Sequence, residues 1–169
     1  MMGLAIGAAL LAAPSEVTKR VEFDPATVAW SKTQGVSRIE GQAFLKTRGG
    51  SVKTCAGNEV HLVPDSPYGR YRMQLLYGNL EGGFVGPNLT LAQRAAVEPE
   101  FQKYVRTAVC DAEGRFSFSR LPEGRYYIIA TVAWEAATGW GGRLEVQGGG
   151  VMKSVSLAND DQQSVIVTW

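Results

Sequence analysis

The chain has 169 residues, 45% of them apolar and 20% charged, with 20 Gly and 7 Pro. Its 17 Lys and Arg against 16 Asp and Glu leave a formal charge of +1, so no basic field attracts nucleic acid or an anionic membrane, and neither is expected as a partner. Length and composition suit a single hydrophobic core and favour short strands joined by tight turns over a helical bundle.

Residues 1–13 carry no charge. The run is too short to span a bilayer, which takes about 20 apolar residues, but it matches the apolar region of a secretory signal. Small residues at Ala13 and Ser15 place a signal segment over residues 1–15, cleaved after Ser15. No Lys or Arg precedes Lys19, so either the start lies upstream or the signal is a poor one. The expected location is extracytoplasmic: periplasmic, cell-surface or secreted. No transmembrane span is expected.

Residues 16–35 mix charge with isolated apolar side chains and read as an N-terminal arm with at most one short strand. Residues 36–169 read as the folded domain. Ile39, Gly41, Ala43 and Leu45 alternate with Glu40, Gln42, Phe44 and Lys46, which predicts a first core strand. A turn at residues 48–51 follows. Residues 59–64 predict a second strand, with Val60 and Leu62 on one face and His61 and Val63 on the other.

Residues 66–103 read as an insertion. Tyr68, Tyr71, Leu75 and Leu76 lie near helical spacing over residues 66–77, with Arg70 and Arg72 assigned to the wet side. Residues 78–87 are expected to be a loop. A second short helix is expected within residues 89–104, interrupted at Pro99. The β pattern then becomes dense, with strands over residues 104–110, 115–119 and 125–134. A glycine-rich hairpin tip at residues 138–142 carries Trp140. Three short closing strands are expected, around Leu144 and Val146, over residues 151–157 and over residues 164–169. Seven or more short strands with turns between them predict a mainly β Greek-key sandwich with a partly helical insertion.

Residues 111–126 read DAEGRFSFSRLPEGRY. Asp111 can cap a turn with its carboxylate, Gly114 can take a left-handed conformation, and Phe116 and Phe118 point to one side. Pro122 and Gly124 suit the centre of a second turn. This block resembles the hallmark of carboxypeptidase-regulatory-like domains, an Asp-x-x-Gly turn followed by alternating aromatics and Leu-Pro-x-Gly-x-Tyr. Gly41-Gln42-Ala43 and residues 56–62 are similar to that family's first two core strands. The resemblance implies a prealbumin-like (transthyretin-like) sandwich over residues 36–168. It also implies a structural, spacer or interaction role in extracytoplasmic proteins, sometimes beside a catalytic partner, and it implies no reaction.

Catalytic parts are missing. His61 is the single His, and no Cys-x-x-Cys pair exists for zinc. Glu40, Glu59, Asp65 and Glu98 could supply a carboxylate pair, but no spacing selects two of them. Gly148-Gly149-Gly150 lacks the Lys and Ser or Thr of a phosphate loop. Neither enzyme activity, nor a metal, nor a cofactor is therefore expected. Lys46 and Asn159, with Glu59 or Glu123 as catalyst, are the residues available for an isopeptide crosslink of the kind some related sandwiches carry. Cys55 and Cys110 are the only cysteines. In an oxidising compartment they are expected to form a disulfide, since they fall at the start of one core strand and the end of the next. Tyr68, Tyr71, Tyr77, Trp134 and Trp140 are rigid surfaces that could stack on sugars or anchor a partner; Tyr68, Tyr71 and Trp140 are the candidate contacts for a protein or glycan partner, with Trp140 the best placed for exposure. The expected function is a non-catalytic structural or protein-interaction module. The alternatives are a carbohydrate- or cell-wall-binding module using exposed aromatics, and an accessory subunit of an extracytoplasmic enzyme.

Overall fold

A computed structural model describes residues 20–90, 93, 95–138 and 141–169. The signal segment expected over residues 1–15 lies outside the described residues. Among these residues nine strands form two sheets. One contains β1 (Ser37–Lys46), β2 (Val52–Thr54), β6 (Arg115–Leu121) and β9 (Gln162–Val167). The other runs β4 (Gly82–Val85), β8 (Arg143–Leu157), β7 (Gly124–Thr138), β3 (Glu59–Pro64), β5 (Arg106–Val109). All pairings are antiparallel except β1 with β9, which run parallel from Arg38↔Gln162 to Ala43↔Val167.

The two sheets close on a core built by period-two alternation. Ile39, Ala43 and Leu45 face Val60 and Leu62, and Phe116 and Phe118 meet Tyr126, Ile128 and Val132 in the same cluster. Gly41 occupies an inward position of β1 because the Phe116 ring takes the space a side chain would need; a Cβ there would lie 2.3 Å from its Cζ.

The hallmark turns form as the sequence predicts. The Asp111 carboxylate accepts from the amides of Glu113 (3.0 Å) and Arg115 (2.8 Å), and Gly114 is left-handed at φ 76°. Tyr126 returns to the core and donates its hydroxyl to the Pro122 carbonyl at 2.9 Å, locking the second turn.

That turn also explains the arm. Residues 20–35 contain no strand among the described positions; they form 3₁₀ turns at Pro25–Thr27 and Ala29–Lys32. Trp30 packs edge-on against Tyr126 with ring centroids 5.2 Å apart. Gly124, at φ 145°, leaves room for it, since a Cβ there would lie 2.4 Å from the indole. Gly124→Ala is therefore expected to cost about 1–3 kcal/mol, read from the denaturant midpoint, because the methyl overpacks Trp30 in a backbone conformation that suits glycine. A change below about 0.5 kcal/mol would show that the arm yields freely.

A second cluster covers the outer face of the five-stranded sheet. Val63, Tyr127 and Met152 from the strands meet Tyr68 and Met73 of α1 (Pro67–Tyr77), Phe101 of α2 (Pro99–Gln102) and Val28 of the arm. Phe23 joins edge-on to Tyr68, Phe101 and Tyr104, at 5.2–5.8 Å between centroids. The chain thus forms three layers: sheet, sheet, and a helical cover.

Four sequence expectations need correction. Residues 82–85 are an edge strand rather than a loop, and β2 was not anticipated. Pro99 begins α2 instead of interrupting a longer helix, as its missing amide and fixed φ allow at a first helical position. Residues 143–157 form one strand, not two: the pairing with β7 runs without a slip from Thr138↔Arg143 to Gly124↔Leu157. Its three glycines reflect crowding, because a Cβ on Gly148 would sit 2.1 Å from the Val132 carbonyl and one on Gly149 2.0 Å from that of Val85. Finally, Arg72 lies inside the cover and not on the wet side.

Candidate functional site

Helix α1 brings the nominated tyrosines together and buries one of them. Ser66 caps the helix by accepting from the Gly69 amide at 2.9 Å, Pro67 opens it, and Gly78 closes it in a left-handed conformation. Tyr68 is only 4% exposed and accepts a hydrogen bond from the Glu98 amide at 3.0 Å. Its ring is spent on Phe23, Phe101 and Tyr71. Tyr68 is thus a core residue and offers no face to a ligand, which corrects its selection as a binding residue. Tyr71 is half-buried beside it. Trp140 lies outside the described residues.

The nominated acid–base groups do not assemble. Asp65 accepts two hydrogen bonds from Arg70 Nε and one from Arg70 Nη2, at 2.7–3.1 Å, and one from the Tyr127 hydroxyl at 2.7 Å. Burial pushes its carboxyl up, but the Arg70 and Tyr127 hydrogen bonds outweigh this and hold it below the usual carboxylate range. It serves as an anchor for α1. His61 meets Thr107 Oγ1 through Nδ1 at 3.3 Å and Glu59 through Nε2 at 3.8 Å, with no nucleophile in this set beyond the threonine hydroxyl. Among the described residues no three His, Cys, Asp or Glu side chains are grouped to hold a metal ion, and no helix is long and apolar enough to cross a membrane. The isopeptide pair is separated by topology. β9 runs parallel to β1 and begins beside Arg38, so Asn159 lies near the start of β1 while Lys46 lies at its far end, roughly 25 Å along the strand.

Cys55 and Cys110 are joined by a disulfide with Cα atoms 5.8 Å apart. The backbone already brings them together: the Gly57 amide donates to the Cys110 carbonyl (3.1 Å) and the Cys110 amide to the Asn58 carbonyl (3.0 Å).

Three concavities concern function. An open one of about 700 Å³ lies on the four-stranded sheet, lined by Glu40, Gln42, Arg115, Ser117 and Ser164. Its polar groups are largely engaged: Arg115 pairs with Asp111 and Glu113, and Gln42 donates to the Glu113 carbonyl. A second, of about 440 Å³, lies under the helical cover.

The third, of about 660 Å³, opens at one end of the sandwich between the β1–β2 turn and the β7–β8 hairpin. Trp134 and Trp169 line it with Phe84, beside Lys46, Arg48 and Gln147. Trp134 is held rigidly, its ring lying over Gly148, where a Cβ would come within 2.7 Å. Trp169 is 70% exposed. No Asp or Glu lines the cleft, and neither Lys46 nor Arg48 is ion-paired among the described residues. Aromatic planes next to unpaired hydrogen-bond donors suit stacking on a sugar ring and bonding to its oxygens. The sequence singled out Trp134 among its aromatics but not Trp169. Their meeting depends on the end of β9 reaching the β7–β8 hairpin, which no local pattern encodes.

No family model matches the chain, and no curated protein is similar to it at a significant level. Among solved structures, it is similar to a “putative carbohydrate binding protein” of Pseudomonas aeruginosa, at 24% identity and a TM-score of 0.74, covering 88% of this chain and 99% of that one. A DUF3823 family protein of Parabacteroides merdae (13% identity, TM-score 0.36) and a minor pilin of Streptococcus agalactiae (10%, 0.39) each match 80% of this chain. The matches span only 46% and 44% of those two chains. The first of these likenesses supports the sandwich fold.

Proposed function

We propose that this chain is a non-catalytic, extracytoplasmic binding module of the carboxypeptidase-regulatory-like kind, and that it holds a glycan in the end cleft lined by Trp134 and Trp169. The observation that carries the reading is the pairing of a rigid and an exposed indole with Lys46, Arg48 and Gln147 in one concavity. Two cationic side chains, with no Asp or Glu among the described lining residues, make an acidic sugar the preferred ligand. The fold neighbour from Pseudomonas aeruginosa and the disulfide support the same reading. The charge-free run over residues 1–13 and the disulfide, which suits an oxidising compartment, support an extracytoplasmic location. The DAEGRFSFSRLPEGRY block supports the family.

Binding of the full chain to an oligosaccharide array that includes uronate-containing and neutral glycans tests the proposal. Saturable binding is expected, weakened by about tenfold or more in Trp169→Ala, since losing one stacking plane removes roughly 1.4 kcal/mol or more. Arg48→Ala should weaken acidic glycans more than neutral ones. An array without binders, or binding that ignores both substitutions, would reject the site.

A protein partner is the second reading, and the β7–β8 hairpin favours it. Leu144 and Val146 are 59% and 54% exposed on that hairpin, an apolar surface suited to another protein.

A further inference from the structure

Arg72 departs furthest from what its sequence position predicts. It is 6% exposed, yet no hydrogen bond or ion pair reaches its guanidinium from any described residue. Every other buried polar residue among those described has hydrogen-bond partners: Ser31 donates to Val28, Ser37 to Ala158, and Ser66 caps α1. The side chain is buried along its stem, but its nitrogens are not sealed off, so the guanidinium opens into a cavity with its donors unused by the described residues and free to meet a ligand from outside.

The cavity of about 440 Å³ between α1, α2 and the outer face of the five-stranded sheet is where Arg72 emerges. Its walls are mainly apolar, with Met73 and Phe101 among them, and His61, Gln102 and Thr107 add polar atoms. Among the described residues Arg72 is the only Lys or Arg that lines it, and no Asp or Glu does. The volume falls within the range of small-molecule sites. A single guanidinium fork matches the two oxygens of one carboxylate, whereas a phosphate dianion would call for further cations.

We infer that this cavity binds a small amphipathic carboxylate, its carboxylate on Arg72 and an apolar body of about six to ten carbons against Met73 and Phe101. The site lies on the opposite sheet from the four-stranded face and apart from the end cleft, sharing no lining residue with either. It goes beyond the glycan reading and does not depend on it.

Titration of the full chain with sodium hexanoate, followed by amide NMR shifts, tests the inference, with 1-hexanol, hexylammonium and inorganic phosphate as comparison probes. Hexanoate should bind saturably and shift the amides of Met73, Phe101 and Thr107, while the comparison probes bind at least about tenfold more weakly. Arg72→Met keeps the volume and removes the charge. It should weaken hexanoate by about 10–100-fold, the usual weight of a charge-assisted hydrogen bond, and Arg72→Lys should retain part of the affinity. Without ligand, Arg72→Met should melt at or above the wild-type temperature, because the guanidinium has no partner in the protein to lose and methionine keeps the packing of the buried stem. Trp169→Ala should leave hexanoate binding unchanged. Equal affinity for hexanoate and hexanol, equal affinity in Arg72→Met, phosphate binding in preference to hexanoate, or a lower melting temperature for ligand-free Arg72→Met would each overturn the inference.

Discussion

Phe118→Ala lowers the stability of the fold by about 3–5 kcal/mol, the usual cost of emptying an aromatic core site. Phe118 is 6% exposed and lies opposite Ile39 of β1. It packs edge-on against Phe116 with centroids 6.0 Å apart, in the layer that also holds Tyr126 and Ile128. These neighbours belong to β1, β6 and β7, so the cavity left by alanine would be walled by both sheets and could collapse little. The change compares with a whole-domain stability on the order of 5–15 kcal/mol, so the midpoint of urea denaturation should fall visibly. Ser117→Ala, one residue earlier and exposed, should shift stability by no more than about 0.5 kcal/mol. The contrast tests register directly, because a one-residue slip exchanges the two faces of a strand. A loss below about 1 kcal/mol at Phe118 would mean that its face meets water.

The elements readable from sequence are those whose two faces meet different surroundings. β1 and β6 have one face in the core and the other in water, and their alternation is clean: Ile39 against Glu40, Phe116 against Ser117. The Asp111 turn is local, since its hydrogen bonds span four residues or fewer, and it too was readable. The five-stranded sheet is harder because helices cover its outer face. Tyr127 is as buried as Tyr126, so alternation vanishes where the second cluster forms. β4 reads as a loop because glycines open it; Gly83 is glycine because Tyr77 of α1 leaves 2.7 Å for a Cβ.

The candidate sites depend on meetings that no short window contains. Placing both Arg70 and Arg72 on the wet side overlooks the helix itself, because residues two apart lie roughly 200° apart around the axis, on opposite faces. The structure separates them: Arg70 reaches Asp65 at the surface, while Arg72 turns under the cover that the arm and α2 complete. Tyr68 reads from sequence as a rigid aromatic contact for a partner, yet Phe23, some 45 positions earlier, and Phe101, 33 positions later, close over it. Long-range packing decides which polar or aromatic group on an amphipathic helix is a ligand group and which is filler.

The disulfide is the other large contribution, and its removal is expected to act mainly through the unfolded chain. Cys55 and Cys110 are 55 positions apart, and linking them restricts the unfolded ensemble by about 4 kcal/mol in chain-entropy accounting. In the folded protein the two ends are already held by the Gly57–Cys110 and Cys110–Asn58 backbone bonds and by the pairing of β3 with β5. The Cys55→Ala/Cys110→Ala variant should therefore keep the native circular dichroism and the native amide pattern of β3 and β5. Its melting temperature should fall by about 8–16 °C for a domain of this size. Both sulfurs are buried, and a pair of alanines leaves small voids that add to the loss. Thiol titration of the unfolded, unreduced protein gives the prior condition: no thiol is expected, and two would remove the crosslink and, with it, this argument for an oxidising compartment. A variant that melts with wild type despite an intact crosslink in the parent would place the constraint elsewhere, in residual structure of the unfolded chain that already keeps the two strands together.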